Sequence, residues 1–222
     1  MIHRPRAHVA LVLTAAFGFA LSACATGASA APDSAKPAAS PAGPTAGSAC
    51  PTSQPAVLAP GETRTVEIRT SKGSITLKID GSLSPIAAGN FVALASCGYY
   101  DGVVFHRVAT LQDGTPFVIQ GGDPTGTGSG GPGYTIRDEP VTAAYHRGTL
   151  AMARSSAPDS EGSQFFIVLS DAAGPILASY NTYAIFGEVT AGMDTVDAIY
   201  AAADQEIPAN PIVMDDVTVT SP

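Results

Sequence analysis

Hydrophobic and polar residues alternate in two neighbouring stretches, residues 65–70 (TVEIRT) and residues 74–79 (SITLKI), which Lys72 and Gly73 separate. A period of two is typical of a strand with one buried face, and a short glycine-containing connection joins antiparallel neighbours. The pattern therefore predicts an opening β-hairpin.

Two later stretches have helical spacing of their apolar residues. The first is predicted to begin with Ser84 as N-cap and Pro85 at its first position, and to end near Gly98. The second is predicted over residues 193–202. Only two helices are therefore expected in the chain.

Short β-type runs make up most of the remaining apolar sequence. They are predicted over residues 103–107, 117–120, 149–153, 164–169, 183–189 and 212–220. Together with the hairpin they give eight strands and a mainly β fold. We expect a closed eight-stranded antiparallel β-barrel capped by two α-helices, because closure removes exposed strand edges.

The composition narrows the possible partners. Charged residues make up 14% of the chain, and the formal net charge is −8, which argues against a nucleic-acid partner, whose phosphates need a basic face. The glycines of residues 126–131 have dinucleotide-motif spacing, but Pro132 and Gly133 follow where a helix would be needed. We expect no metal, no cofactor and, by default, a monomer.

The N-terminus is predicted to be a signal peptide. Arg4 and Arg6 precede an uncharged run over residues 9–23, which is shorter than the ~20 residues of a spanning helix. The run ends in Leu-Ser-Ala followed by Cys24, which resembles a bacterial lipoprotein signal. That resemblance implies cleavage after residue 23, lipidation of Cys24, and a lipid anchor holding the protein to the bacterial cell membrane. An ordinary secretory signal stays open as the alternative, and both place the mature protein outside the cytoplasm.

A flexible tether is predicted over residues 24–59, followed by one folded domain over residues 60–222. Of the 35 residues from 25 to 59, 29 are Ala, Gly, Pro, Ser or Thr, too few apolar side chains to offset chain entropy. With Cys24 assigned to lipid, Cys50 and Cys97 remain for an oxidising compartment. A disulfide between them and two unpaired thiols are both open.

Two segments combine long polar side chains with phenylalanines on short strands. Residues 104–123 contain FHR, ending at Arg107, and PFVIQGGD; residues 162–168 read GSQFFIV. They resemble the cyclophilin family of peptidyl-prolyl isomerases, and the resemblance extends over residues 64–220. It implies a cyclophilin-like barrel that binds proline-containing polypeptides, with Arg107 as the catalytic residue. The substrate-binding residues it implies are Phe117, Val118, Gln120, Ala153, Arg154, Gln164, Phe166 and Tyr183.

The chemistry of the reaction suits this residue set. Rotation about an X–Pro bond faces a barrier of ~20 kcal/mol, because the amide is conjugated, and needs no nucleophile, metal or cofactor. An arginine offers fixed charged donors that can stabilise the twisted amide. The resemblance implies that Phe117 and Phe166 receive the prolyl ring, while Gln120 and Gln164 orient Arg107 and bind the peptide backbone.

The chain departs from the family pattern at several positions. Val118 stands where methionine is usual, Arg154 where asparagine is usual, and Tyr183 at the position of a common histidine; residues 171–182, expected to be a loop, do not follow the pattern. These departures leave a non-catalytic module that binds proline-containing segments, or a chaperone, as the alternative function. A structural envelope protein is a third, weaker alternative.

Overall fold

The computed structural model describes residues 49–220. The predicted signal peptide, Cys24 and most of the predicted tether lie outside the described residues. Within the described range no helix is both long and apolar enough to cross a membrane. The elements are β1 (Thr63–Thr70), β2 (Gly73–Asp80), α1 (Pro85–Ser96), β3 (Arg107–Thr110), β4 (Pro116–Gly121), β5 (Thr149–Met152), β6 (Phe165–Val168), α2 (Ala173–Tyr180), β7 (Ile185–Ala191), α3 (Met193–Ala202) and β8 (Met214–Thr220).

The eight strands form one antiparallel sheet in the order β3-β4-β6-β5-β7-β2-β1-β8. The mainly β fold with eight antiparallel strands is confirmed, as is the opening hairpin, in which Thr63 pairs with Asp80 and Thr70 with Gly73. Strong alternation of burial along β1 and β2 is what made this part predictable.

The prediction of a closed barrel is wrong, since the sheet is an open, curled half-barrel. Its two edge strands, β3 and β8, do not pair with each other. Residues 102–105 and 212–214, near the starts of the two strands, are joined by the bridge between Val104 and Val213 and by three backbone hydrogen bonds, but this pairing does not continue along β3. The reason is the shortness of β3, which begins at Arg107, so that residues 103–106 form a link and not the predicted strand. A loop after α3 covers part of the β3 edge, where Val108 N–H donates to the Glu206 carbonyl at 2.8 Å.

The structure contains three helices within the described range, one more than expected. The additional helix, α2, lies in residues 171–182, where the sequence predicted a loop. Gly174 and Pro175 obscured it, although a proline in the first turn of a helix loses no internal hydrogen bond. The helix ends at Asn181, which adopts a left-handed conformation with φ 50°.

Helix α1 begins where predicted but is capped differently. Ser84 is the N-cap residue, yet its hydroxyl makes no hydrogen bond among the described residues. The carboxylate of Glu139 instead accepts from the N–H groups of Ile86, at 2.9 Å, and Ala87, at 2.8 Å. A carboxylate there also suits the positive end of the helix dipole. The cap comes from a residue more than fifty positions away, which local sequence patterns do not reveal.

Successive side chains of β6 point to opposite faces of the sheet, one face toward the main core and the other toward a second, smaller apolar cluster. Phe165 points into the main core, where its ring contacts those of Phe91, Tyr100 and Phe105. The next residue, Phe166, points to the opposite face of the sheet. The smaller cluster lies between that face and α2, and it forms the base of the site described below.

The last part of the predicted tether packs against the domain, so contacts with the domain begin before residue 60. Leu58 is 5% exposed, and its N–H donates to the Pro85 carbonyl at 3.0 Å. A side chain at Gly89 would collide with the backbone of Ala56 and Val57, which explains a glycine inside α1. The sequence did not reveal these contacts, because a few apolar residues make them within a stretch that is otherwise rich in Ala, Gly, Pro, Ser and Thr.

Cys50 and Cys97 are joined in the structure, with 2.04 Å between their sulfur atoms. This bond ties the start of the described chain to the end of α1. It corresponds to the disulfide alternative, which a measurement on the protein can test directly.

We expect the unreduced protein to show no reactive thiol at these two positions. Replacing both Cys50 and Cys97 by alanine should lower the free energy of unfolding by up to about 4 kcal/mol, because the bond closes a long loop in the unfolded chain. Thiol titration with and without reductant, followed by denaturant unfolding, measures both effects. Two reactive thiols in the unreduced denatured domain would contradict the prediction.

Candidate functional site

Arg107, Gln120 and Phe166 lie in one row across three strands. The register pairs Arg107 of β3 with Gln120 of β4, and Gln120 with Phe166 of β6. Residues paired in this way point to the same face, with neighbouring strands about 4.8 Å apart. The sheet therefore places a guanidinium, an amide and a benzyl group side by side on the face opposite the main core.

A chain of hydrogen bonds orients the polar members of this row. Arg107 Nη1 lies 3.4 Å from Gln120 Oε1, and Gln120 Nε2 donates to Gln164 Oε1 at 2.9 Å. Gln164 Nε2 in turn donates to the carbonyls of Gly128 and Gly130, at 3.0 and 2.9 Å. The glycine-rich loop thus fixes both glutamines, and Gln120 presents its oxygen to the guanidinium.

The second partner of Arg107 was not predicted. Glu206, in the loop after α3, places Oε1 2.8 Å from both Nε and Nη2 of Arg107. The two residues are 99 positions apart, and an isolated glutamate in a polar loop gives no signal of such a contact. Charge-assisted bonds of this kind fix the orientation of a planar guanidinium.

A cavity of about 470 Å³ opens beside Arg107. Phe166, which is 4% exposed, and Val118, 2% exposed, contribute its base, while half-buried Phe117 contributes a wall. This volume falls in the range of small-ligand sites. The cavity brings together most of the residues named from the sequence: Arg107, Phe117, Val118, Gln120, Ala153, Arg154, Phe166 and Tyr183.

Helix α2 completes one side of this cavity. Its Ile176, Leu177 and Tyr180 line the opening. Tyr183 packs edge-on against Phe166 with ring centroids 5.4 Å apart, and Tyr180 extends this aromatic series at 6.2 Å. These three helix residues were missed because α2 was expected to be loop; the only signal was the departure of residues 171–182 from the family pattern.

A second cavity of about 750 Å³ adjoins the first and shares Gln120, Ala153 and Arg154 with it. Gln164 and the glycine-rich loop line the second cavity. Asp123 holds this loop, accepting N–H bonds from Thr125 at 2.7 Å and Gly130 at 2.9 Å. Burial alone would raise the pKa of Asp123, but the donors of Gly130 and Thr125 outweigh it and hold that pKa well below its usual range.

Ala153 and Arg154 stand between the two cavities. Ala153 N–H donates to the Gln164 carbonyl at 2.9 Å, which continues the β5–β6 pairing to the cavity edge. Arg154 forms an ion pair with Asp138 at 2.9 Å and donates to the Ala157 carbonyl at 2.6 Å; its side chain is only 9% exposed. The guanidinium of Arg154 therefore clamps neighbouring loops together, while its stem lines the cavities.

His106 precedes Arg107 and is buried, with 3% of its surface exposed. Neither ring nitrogen has a hydrogen-bond partner within residues 49–220. Burial lowers the pKa of His106, although the Asp123 carboxylate opposes the effect. His106 does not line the cavity beside Arg107.

The family comparison agrees with this geometry. A sequence model of the family described as "Cyclophilin type peptidyl-prolyl cis-trans isomerase/CLD" matches residues 65–219. The chain belongs to the cyclophilin family. It is accordingly a cyclophilin-type peptidyl-prolyl cis-trans isomerase, and curated relatives carry the same activity in their names.

Two of these relatives are similar over nearly their whole length. Peptidyl-prolyl cis-trans isomerase-like 3 of Dictyostelium discoideum is 36% identical over 162 residues, covering 70% of this chain and 94% of that protein. The probable peptidyl-prolyl cis-trans isomerase A of Mycobacterium leprae is 39% identical over 180 residues, covering 72% of this chain and 93% of that protein.

Solved structures show the same fold. A crystal structure of a cyclophilin type peptidyl-prolyl cis-trans isomerase from Cryptosporidium parvum has a TM-score of 0.62 at 33% identity, and the alignment covers 72% of this chain and 99% of that chain. A structure of the same protein in the presence of the dipeptide Ala-Pro gives a TM-score of 0.61 at 34% identity, covering 71% and 99%.

This cyclophilin also buries an acid beside the site that the sequence did not single out. Glu161 is fully buried; its Oε1 accepts from Ala184 N–H at 3.3 Å, and its Oε2 has no partner among the described residues. Burial raises the pKa of Glu161 to about 8, the bond from Ala184 opposes this, and the Asp138 carboxylate adds to it. Glu161 is therefore mostly neutral in the folded protein at pH 7.

We expect the contribution of Glu161 to stability to fall as the pH rises from about 4.5 to about 8, because the unfolded chain ionises Glu161 first. The stabilisation is fully present below pH 4.5 and lost as pH rises through the folded-state pKa. Glu161→Gln should remove up to about 4 kcal/mol of this decline between pH 5 and 8. Denaturant unfolding at several pH values measures it.

The exposed Glu62→Gln serves as the matched control and should keep the wild-type pH dependence. An unchanged slope in Glu161→Gln would show that Glu161 does not titrate abnormally.

Proposed function

We propose that this isomerase catalyses X–Pro rotation without a covalent intermediate, with Arg107 stabilising the twisted amide of a prolyl residue bound between Phe117 and Phe166. The observation that carries the proposal is that the Arg107 guanidinium and both phenyl rings line one cavity. An apolar cavity suits the pyrrolidine ring, and a charged donor at its wall suits the amide next to that ring.

The catalytic advantage would come from binding the twisted amide better than the planar one. Twisting removes conjugation and concentrates electron density on the amide nitrogen, which a guanidinium N–H can then bind more strongly. Because arginine keeps its charge at any relevant pH, no proton has to move. Ala153 and the two glutamines would hold the substrate backbone on either side of the rotating X–Pro bond.

The substrates we propose are proline-containing segments of exported polypeptides. A related isomerase was crystallised in the presence of the dipeptide Ala-Pro, which supports the ligand class. The signal-like N-terminus and the bond between Cys50 and Cys97 both support a location outside the cytoplasm, anchored through Cys24. Membership of an isomerase family favours catalysis over the alternative of a non-catalytic module that binds proline-containing segments.

Arg107→Ala should lower kcat/KM for a proline tetrapeptide roughly a hundredfold or more, the usual cost of removing a donor aimed at the transition state. An isomerisation assay on the purified protein measures this, and thermal unfolding checks that the fold survives. Arg69→Ala is the matched control, since Arg69 is also ion-paired, with Asp216 at 3.2 Å, but lies on β1. A wild-type rate in Arg107→Ala would refute the mechanism.

Cys24→Ser should release the protein from the membrane fraction of a bacterial host, because a serine offers no thiol for lipid attachment. Cell fractionation and detergent partitioning of the wild type and the variant measure the anchor. A wild-type protein that is already found free outside the cell would contradict anchoring and favour the ordinary secretory signal.

A further inference from the structure

We propose that Glu206 is a positioning residue for the isomerase reaction, which holds the Arg107 guanidinium in its working orientation from outside the cavity. The proposal rests on the role proposed above for Arg107. Glu206 was absent from the residues that the sequence and the family resemblance pointed to, and it is contributed by a loop on the far side of the sheet edge.

The geometry engages only part of the guanidinium. An arginine has five N–H donors. Oε1 of Glu206 accepts from Nε at 2.8 Å and forms an ion pair with Nη2 at the same distance, while Gln120 accepts the longer bond from Nη1 at 3.4 Å. One donor on each terminal nitrogen therefore stays available for a substrate amide.

Glu206 approaches Arg107 from outside the substrate cavity. Arg107 lines the 470 Å³ cavity, whereas Glu206 lines an adjoining surface groove with Val108 and Tyr200; the two share Thr110. A carboxylate in that groove can fix the guanidinium without occupying the space of the prolyl ring. This distinguishes the contact from one that blocks the site.

The loop that carries Glu206 is tied to the strand that carries Arg107. Val108 N–H, one residue after Arg107, donates to the Glu206 carbonyl at 2.8 Å. The hydroxyls of Thr110 and Tyr200 lie 3.1 Å apart and link β3 to α3. Glu206 is thereby held by its own backbone, unlike an isolated surface pair, whose two flexible side chains must both be ordered.

The negative charge of Glu206 has an opposing effect, because it reduces the field of the cation at the cavity. The Glu206 side chain is 60% exposed and that of Arg107 34%, so water screens much of this attraction. Orientation is less sensitive to screening, since a misaligned donor contributes little to the twisted amide. The net effect of Glu206 is therefore to raise the rate.

The test compares Glu206→Ala and Glu206→Gln with the wild type in the isomerisation assay. Glu206→Ala should lower kcat about tenfold, the effect of losing one oriented charge-assisted bond, with KM within about twofold. Glu206→Gln keeps an acceptor oxygen and should stay within about threefold of the wild type. Asp215→Ala, which removes an exposed acid from β8, is the matched control and should leave the rate unchanged.

A double-mutant cycle separates this proposal from the one on which it rests. Glu206→Ala should have no further effect in the Arg107→Ala background if Glu206 acts only through Arg107. A Glu206→Ala protein that is as fast as the wild type or faster, or that slows equally without Arg107, overturns the positioning role. If Arg107→Ala keeps the wild-type rate, the proposed mechanism fails first, whatever Glu206 does.

Discussion

The register of three neighbouring strands is the constraint on which the site depends. Arg107, Gln120 and Phe166 share one row because β3, β4 and β6 are hydrogen-bonded in that register. A slip of one residue in any of them would turn its side chain to the core face. The same alternation buries Phe165 among the core aromatics, so core packing and site geometry are fixed together. Packing of the core aromatics therefore also fixes the strand register on which the cavity depends.

The open edge of the sheet has a functional consequence. If β3 and β8 were paired along their length, the outer edge of β3 would bond to β8, and the Val108 N–H would not reach the Glu206 carbonyl. Instead β3 is four residues long, and its outer edge receives the loop that carries Glu206. The half-barrel therefore supplies a second approach to the guanidinium, from a loop that a closed barrel would exclude.

The sequence predicted those parts of the molecule that depend on local patterns. Alternation in β1 and β2 and helical spacing in α3 were sufficient because each element buries one regular face. The cavity residues were named from motif resemblance, which carries three-dimensional information that periodicity lacks. The structure gathers Arg107, Phe117 and Phe166 around one cavity, as that resemblance implied.

The features that the sequence could not predict are contacts between distant segments. Glu139 caps α1, Glu206 pairs with Arg107, and Leu58, from a stretch predicted to be tether, packs on the domain. Each of these contacts involves a single residue, and the residues next to it in the sequence form no pattern that predicts the contact. Helix α2 was missed for a different reason: its glycine and proline are usual in loops, and only burial of Ala173 and Leu177 on the site cluster stabilises it.

The two arginines at the cavity show why position alone does not define a catalytic group. Arg154 donates through Nε to the Ser155 carbonyl, through Nη1 to Asp138 and the Thr182 carbonyl, and through Nη2 to Ala157. Four of its five donors are engaged within the protein, with a long bond of 3.5 Å to Thr182, against three for Arg107, with a long bond of 3.4 Å to Gln120. Both side chains line the same cavity, but Arg107 keeps more donors for an amide. The contacts that each guanidinium makes within the protein, and not its distance from the cavity, distinguish the two arginines. Arg154 holds neighbouring loops together, whereas Arg107 has donors left that can bind a twisted X–Pro amide.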